Sequence, residues 1–174
     1  MINTIFLDMD GVITNFNKAV CDEFGLPCPP KEYNFFEEIR SQVNEFCNTS
    51  FWRHLEWEEN GRDILRAIMD TLGLEKIYFL TGMMPNLETA SGKMMWIRDN
   101  LPIYSNRVIL TTLEVPKAFL ARPNALLIDD YDKCTKEFID AGGQAILVPR
   151  TYNRLSKKAD QSSQYVRECL EKLI

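Results

Sequence analysis

The stretch Ile2-Asn3-Thr4-Ile5-Phe6-Leu7-Asp8-Met9-Asp10-Gly11-Val12 decides the fold. Residues 2–7 form a short, mostly apolar run that reads as a strand covered on both faces. The run then turns abruptly acidic. In extended backbone, residues i and i+2 point the same way, so Asp8 and Asp10 share one side while Met9 faces the other. Gly11 permits an immediate tight turn, which leaves both carboxylates at the mouth of the sheet. Two like charges there are costly unless a cation or a shared proton relieves them. Alone, the piece fits equally well a strand-end turn that is merely rich in Asp and Gly.

Working outward, four more apolar runs read as strands, at 76–80, 107–110, 125–128 and 144–148. Helical patterns fall between them. Residues 61–72 place Ile64, Leu65, Ile68, Met69 and Leu72 on one face, with Gly73 as the stop. Residues 132–141 close at Gly142-Gly143, and residues 162–174 carry Val166, Cys169, Leu170, Leu173 and Ile174 on one stripe. Strands alternating with helices predict right-handed βαβ units around a parallel sheet. One gap breaks the alternation. Residues 15–72 exceed what a single crossover helix needs and hold Phe16, Phe24, Tyr33, Phe35, Phe36, Phe46, Phe51, Trp52 and Trp57. They predict a helical lobe over the carboxyl end of the first strand, where open α/β sheets bind ligands.

Three later strand ends add chemistry to the first. Leu126-Leu127-Ile128 runs into Asp129-Asp130, so four carboxylates could converge on one sheet edge as an oxygen-rich site suited to Mg²⁺. Tyr78-Phe79-Leu80 ends in Thr81-Gly82, a hydroxyl and unobstructed backbone N–H groups of the kind that hold phosphate. Lys117 follows the 107–110 strand and could aim an ammonium at the same place. Singly, each has an ordinary alternative: helix N-caps for the aspartates, a turn for Thr81, a solvated surface for Lys117. Their order, Asp-x-Asp, Thr, Lys and Asp-Asp, each after a strand, is what carries information.

In that order the chain resembles the haloacid dehalogenase superfamily of phosphatases, and within it the 5′(3′)-deoxyribonucleotidases. Leu7-Asp8-Met9-Asp10-Gly11-Val12 with Phe16, Trp96-Ile97 before Arg107-Val108-Ile109-Leu110-Thr111, Leu126 to Asp130, and Asn153-Arg154-Leu155 carry the narrower likeness. The resemblance implies a three-layer, Rossmann-like α/β core over 1–14 and 73–174, with a small helical cap inserted at 15–72. It also implies Asp8 as nucleophile and Asp10 as acid and base. Mg²⁺ would be held by the Asp8 carboxylate, the Asp10 backbone carbonyl and the Asp130 carboxylate, with Asp129 supporting. Spacing alone leaves the choice between Asp129 and Asp130 open. Thr81, Gly82 and Lys117 would neutralise the phosphoryl oxygens. Phe16, Phe35, Phe36 and Phe46 fall where the family's cap holds the base. Phe36 and Phe46 stand where some members favour Trp, and Gly82 replaces a common serine, which bears on base and sugar preference.

Composition sets the outer limits. The chain has 174 residues, 45% hydrophobic and 26% charged, enough for one domain and an inserted lobe. Net charge is −5 with no basic run, which argues against a nucleic-acid track. One histidine, His54, excludes paired-His relays and His-rich metal sites. No apolar run approaches the roughly 20 residues a membrane span requires. Five scattered cysteines and the lack of a signal peptide suggest reduced thiols and a cytoplasmic location. The expected partner is a small phosphomonoester, a nucleotide above all; a homodimer is allowed by the resemblance but required by nothing. The rival readings are a phosphatase for another small ester or a nucleic-acid 3′-phosphate, and a nucleotide-binding module without catalysis.

Overall fold

The structure is a computed structural model that describes residues 1–112 and 114–173. Strands β1 Thr4–Leu7, β2 Ile77–Gly82, β3 Val108–Thr111, β4 Ala125–Asp129 and β5 Gln144–Leu147 form one parallel sheet in the order β3-β2-β1-β4-β5. Each lies within two residues of the apolar run that predicted it. The helices, in chain order among the described residues, are α1 Phe16–Phe24, α2 Arg40–Phe46, α3 Thr49–Arg53, α4 Gly61–Leu72, α5 Leu87–Asn100, α6 Asp132–Asp140 and α7 Ser162–Glu171.

Alternation along each strand divides the core into two layers. Ile5, Leu7, Ile77, Phe79, Leu126, Ile128 and Ile146 join one cluster with Ile64 and Ile68 of α4, Trp96 and Ile97 of α5, and Val166 and Leu170 of α7. Phe6, Leu80, Ala125 and Leu127 join the other with Phe138 of α6. Both faces are covered, which is why the strands read as apolar runs rather than as alternating patterns. The three-layer α/β architecture expected from the sequence is the one observed.

Two predicted helix faces need correction. Met69 is 36% exposed, because it sits on the rim of the α4 stripe whose centre is Ile64 and Ile68. On α7, Val166 and Leu170 are buried and Cys169 only partly so; the helix ends at Glu171, before the partly buried Leu173, and Ile174 lies outside the described residues. The predicted lobe also divides. Helix α4 packs along α7 beside the sheet, as the crossover from β1 to β2, so its twelve residues flank the sheet. The aromatics lie before it, in α1 to α3 and their connections, and α3 packs on α5. Trp52 Nε1 donates to the Cys47 carbonyl at 3.0 Å and Trp96 Nε1 to the Leu55 carbonyl at 2.8 Å, which satisfies both buried indoles and ties α5 to the lobe.

The topology also fixes where a ligand meets the sheet. The chain leaves β1 for β2 on one side, and leaves β4 for β5 on the other, so the adjacent β1 and β4 diverge at their carboxyl ends. Such a switch point is where open α/β sheets bind ligands. The packing predicts that Ile68→Ala destabilises the protein by about 2–4 kcal/mol, whereas Met69→Ala changes stability by no more than about 0.5 kcal/mol. Urea unfolding followed by circular dichroism would measure both.

Candidate active site

The register pairs Leu7 with Ile128, and the Asp8 amide extends the ladder by donating to the Ile128 carbonyl at 3.0 Å. Asp8 therefore emerges beside Asp129 at the switch point. Beyond it the backbone folds on itself. The Met9 carbonyl accepts from the amides of Val12, Ile13 and Thr14 at 3.1, 2.7 and 2.8 Å. Gly11 has φ of +75°, and a Cβ there would lie 2.5 Å from the Tyr152 hydroxyl and 2.8 Å from Asp130 Cγ. Only glycine allows both the turn and this approach.

One oxygen from each of Asp8, Asp129 and Asp130 falls within 4.8 Å of the others, and all three residues are buried. Lys117, from a short helical turn after β3, crosses back to reach Asp8 Oδ1 at 2.8 Å and Asp129 Oδ2 at 2.6 Å. Burial works against its ammonium, yet Asp129 and Asp8 hold the lysine's pKa above the ordinary value. Asp129 accepts additionally from the Tyr131 amide at 2.8 Å, and burial lifts its carboxyl to about 6 against the pull of Lys117. Asp130 receives a short hydrogen bond from the Tyr152 hydroxyl and has no contact with Lys117 of the kind its neighbours have. Burial, then the charges of Asp129 and Asp8, hold its carboxyl well above the usual range.

The donor set fits a hard divalent cation. Three buried carboxylates face one ammonium, and the carboxylate outside the lysine's reach is the one most disfavoured as a charge. All the available ligand atoms are oxygens, as Mg²⁺ requires.

The fourth predicted carboxylate stands apart. Asp10 Oδ1 accepts from Thr14 Oγ1 at 2.9 Å and Oδ2 from Lys93 Nζ at 2.5 Å, and its side chain is 26% exposed. Lys93, on α5, was invisible to motif reading and is 1% exposed. It also donates to Thr81 Oγ1 at 2.8 Å and to the Gly82 carbonyl at 2.7 Å. Thr81 is thus brought to the site but fully buried, and Gly82 has open space beside its Cα.

The predicted base-binding aromatics are only partly gathered. Phe16 is buried, stacked on Trp52 with centroids 5.2 Å apart, and meets Phe36 edge-on at 5.8 Å. Phe35 packs on Phe36 at 5.1 Å. Phe46 packs instead on Phe24 and Phe51, and lines an outward groove of about 430 Å³ with Lys18, Asn48, Ser50 and His54, away from the carboxylates. A different ring covers the acids: Tyr33, from the lobe, stacks on Tyr131 at 3.6 Å, immediately after Asp130.

Other contributors sit near the carboxyl end of the chain. Arg150 Nε donates to the Gly11 carbonyl at 2.5 Å, and Nη1 to Ser162 Oγ at 2.9 Å. Asn153 Nδ2 donates to the carbonyls of Asp130 and Val148, each at 2.8 Å. Glu58 is mostly buried, lies 4.0 Å from Arg150 and has its carboxyl raised by that burial.

No family model and no curated protein sequence matches the chain. Among solved structures, it is similar to a haloacid dehalogenase-superfamily hydrolase from Ehrlichia chaffeensis, with 13% identity and a TM-score of 0.50 over 98% of this chain and 97% of that one. It is similar also to a subfamily IA hydrolase of the same superfamily from Geobacter sulfurreducens, with 14% identity and a TM-score of 0.51 over 92% and 99%. At such identities the likeness is one of fold.

Positive φ and the crowding around Asp130 predict that Gly11→Ala lowers stability by about 1–3 kcal/mol, seen as a fall of several degrees in Tm. Gly82→Ala, with nothing within 4 Å of the new methyl, leaves Tm nearly unchanged.

Proposed function

We propose that this protein is a Mg²⁺-dependent phosphomonoesterase acting on nucleoside monophosphates, 5′-deoxyribonucleotides foremost, through an aspartyl-phosphate on Asp8. One observation carries the chemistry: Asp8, Asp129 and Asp130 converge at the sheet's switch point, where Lys117 meets only the first two, and Asp10 lies partly open beside them. The fold shared with superfamily hydrolases and the order of the motifs support it; the nucleotide preference rests on the sequence resemblance.

The residues divide the work as follows. Lys117 pins Asp8 Oδ1, which presents the other carboxylate oxygen to phosphorus. As the new O–P bond forms, the ester P–O bond breaks and Asp10 gives its proton to the departing oxygen. In the second half, Asp10 takes a proton from the water that attacks phosphorus, phosphate leaves and the Asp8 carboxylate is restored. Mg²⁺, held by Asp8, Asp130 and the Asp10 carbonyl with Asp129 in support, would draw charge from the phosphoryl oxygens. Lys117 and the backbone at Gly82 meet the remaining oxygens, and a buried setting strengthens each of these contacts.

For the organic part of the substrate, Phe35 and Phe36 are half-buried on the lobe, within reach of a stacking base. The packing favours a second reading as well. Phe16 is already stacked on Trp52 and Phe46 faces the outer groove, so a phosphate ester smaller than a nucleotide would need less of the lobe to move.

Phosphate release from a panel of deoxyribonucleoside and ribonucleoside 5′-monophosphates, with small alkyl and aryl phosphates alongside, tests the reading. Wild-type protein should hydrolyse the deoxyribonucleotides best and only with Mg²⁺, and Asp8→Asn should lower kcat by about 10⁴-fold or more. Near-normal turnover in Asp8→Asn would refute the covalent route, and preference for the small esters would refute the substrate assignment.

A further inference from the structure

Asp10 has to meet two different oxygens in turn, the leaving group and then the water, so its carboxylate must be held where both can reach it. Its adjoining residues Met9 and Gly11 do not supply this. It follows a strand end, precedes a glycine and is partly exposed. The hold comes instead from 83 residues further on, where Lys93 Nζ lies 2.5 Å from Asp10 Oδ2.

The geometry points to Lys93 as the positioning residue for Asp10 and Thr81, an inference that rests on the proposed phosphatase chemistry. An ammonium has three donors and no acceptor. Here the three go to Asp10 Oδ2, Thr81 Oγ1 and the Gly82 carbonyl, at 2.5, 2.8 and 2.7 Å. The fourth bond of the nitrogen runs to Cε, and the Trp52 ring lies against the head group, 4.6 Å from the nitrogen to the centroid. All three donors are thus used, so the lysine has none left for substrate. It acts through the residues it holds. Thr14 Oγ1 grips the other Asp10 oxygen at 2.9 Å, and together the two donors fix the carboxylate's rotation as well as its place.

Why Lys93 arrives there follows from the residue before it. A Cβ on Gly92 would lie 2.7 Å from the Thr49 carbonyl oxygen and closer still to Trp52 Cβ. Glycine at this point lets α5 approach α3 backbone to side chain, and this contact brings Lys93 beneath both Trp52 and Asp10. Trp52 in turn stacks on Phe16. One lysine therefore joins the acid–base residue of the core to the aromatic interior of the lobe.

The test uses the whole chain and Lys93→Met, which keeps most of the side chain's length and removes the charge and the donors. Asp10 is open enough to regain water, so the variant should stay folded, which its Tm would verify. Phosphate release from the best wild-type substrate should show kcat lowered by about 10²–10³-fold with KM changed less than about threefold. Thr14→Val, which removes the other grip, should lower kcat in the same sense but less. A rise in KM at unchanged kcat would overturn the inference, because Lys93 would then bind substrate; an unchanged kcat would overturn it too. If wild-type protein hydrolyses no ester, the phosphatase reading fails on its own, and a crystal structure of Lys93→Met still decides the positioning claim. The Asp10 carboxylate should leave its observed place and the Thr81 hydroxyl turn; both remaining in place would refute it.

Discussion

Repulsion among Asp8, Asp129 and Asp130 is the constraint around which the rest of the structure is arranged. At separations up to 4.8 Å each pair repels by about 3–4 kcal/mol at an effective dielectric of about 20. Lys117, touching two of the three, offsets most of that Coulomb term, but the loss of water around each buried carboxylate adds several kcal/mol more. The remainder falls on Asp130, which the lysine does not touch. Its neighbours show the consequence: Gly11 must lack a side chain to pass it, the Tyr152 hydroxyl donates a hydrogen bond to it, and Asn153 fixes its backbone carbonyl. A fold spends stability in this way at sites whose charges serve a ligand.

The lobe extends the same logic to the second half of the site. Asp10 lies outside the cluster and has a lysine of its own, so the two carboxylates that share one strand end are held by two different cations from two different helical segments. Lys117 comes from the sheet layer and Lys93 from α5 beneath the lobe. This separation suits the two roles proposed for Asp8 and Asp10, one bonding to phosphorus and one moving protons. Tyr33 on Tyr131 and Trp52 over Lys93 show the lobe touching both halves.

The sequence was most legible where one signal dominated. Strands buried on both faces stood out as apolar runs, and their carboxyl ends carried the four motif positions because chain direction alone puts them on one edge. Helix α4 was legible to the residue, since its stripe is regular and Gly73 ends it. What escaped depended on contacts between distant segments. Lys93 lies on α5, a helix without a clear apolar stripe, so nothing local in the sequence marks it as buried. Glu58 sits among acidic neighbours, and its partner Arg150 is far away in sequence. The aromatics of the lobe misled in the opposite direction: their number is real, but Phe16 is used in packing and Phe46 faces outward. Aromatic content announces a lobe without saying which rings a ligand can touch.

The account stands on the claim that the three-carboxylate cluster is a divalent-cation site completed by Asp130. Isothermal titration of Mg²⁺ into metal-free protein measures this without any substrate. One Mg²⁺ should bind per chain, and Asp130→Asn should weaken that binding at least about tenfold, in line with loss of a ligating or supporting group. Equal Mg²⁺ affinity in Asp130→Asn, or no Mg²⁺ binding by the wild-type chain, would contradict it.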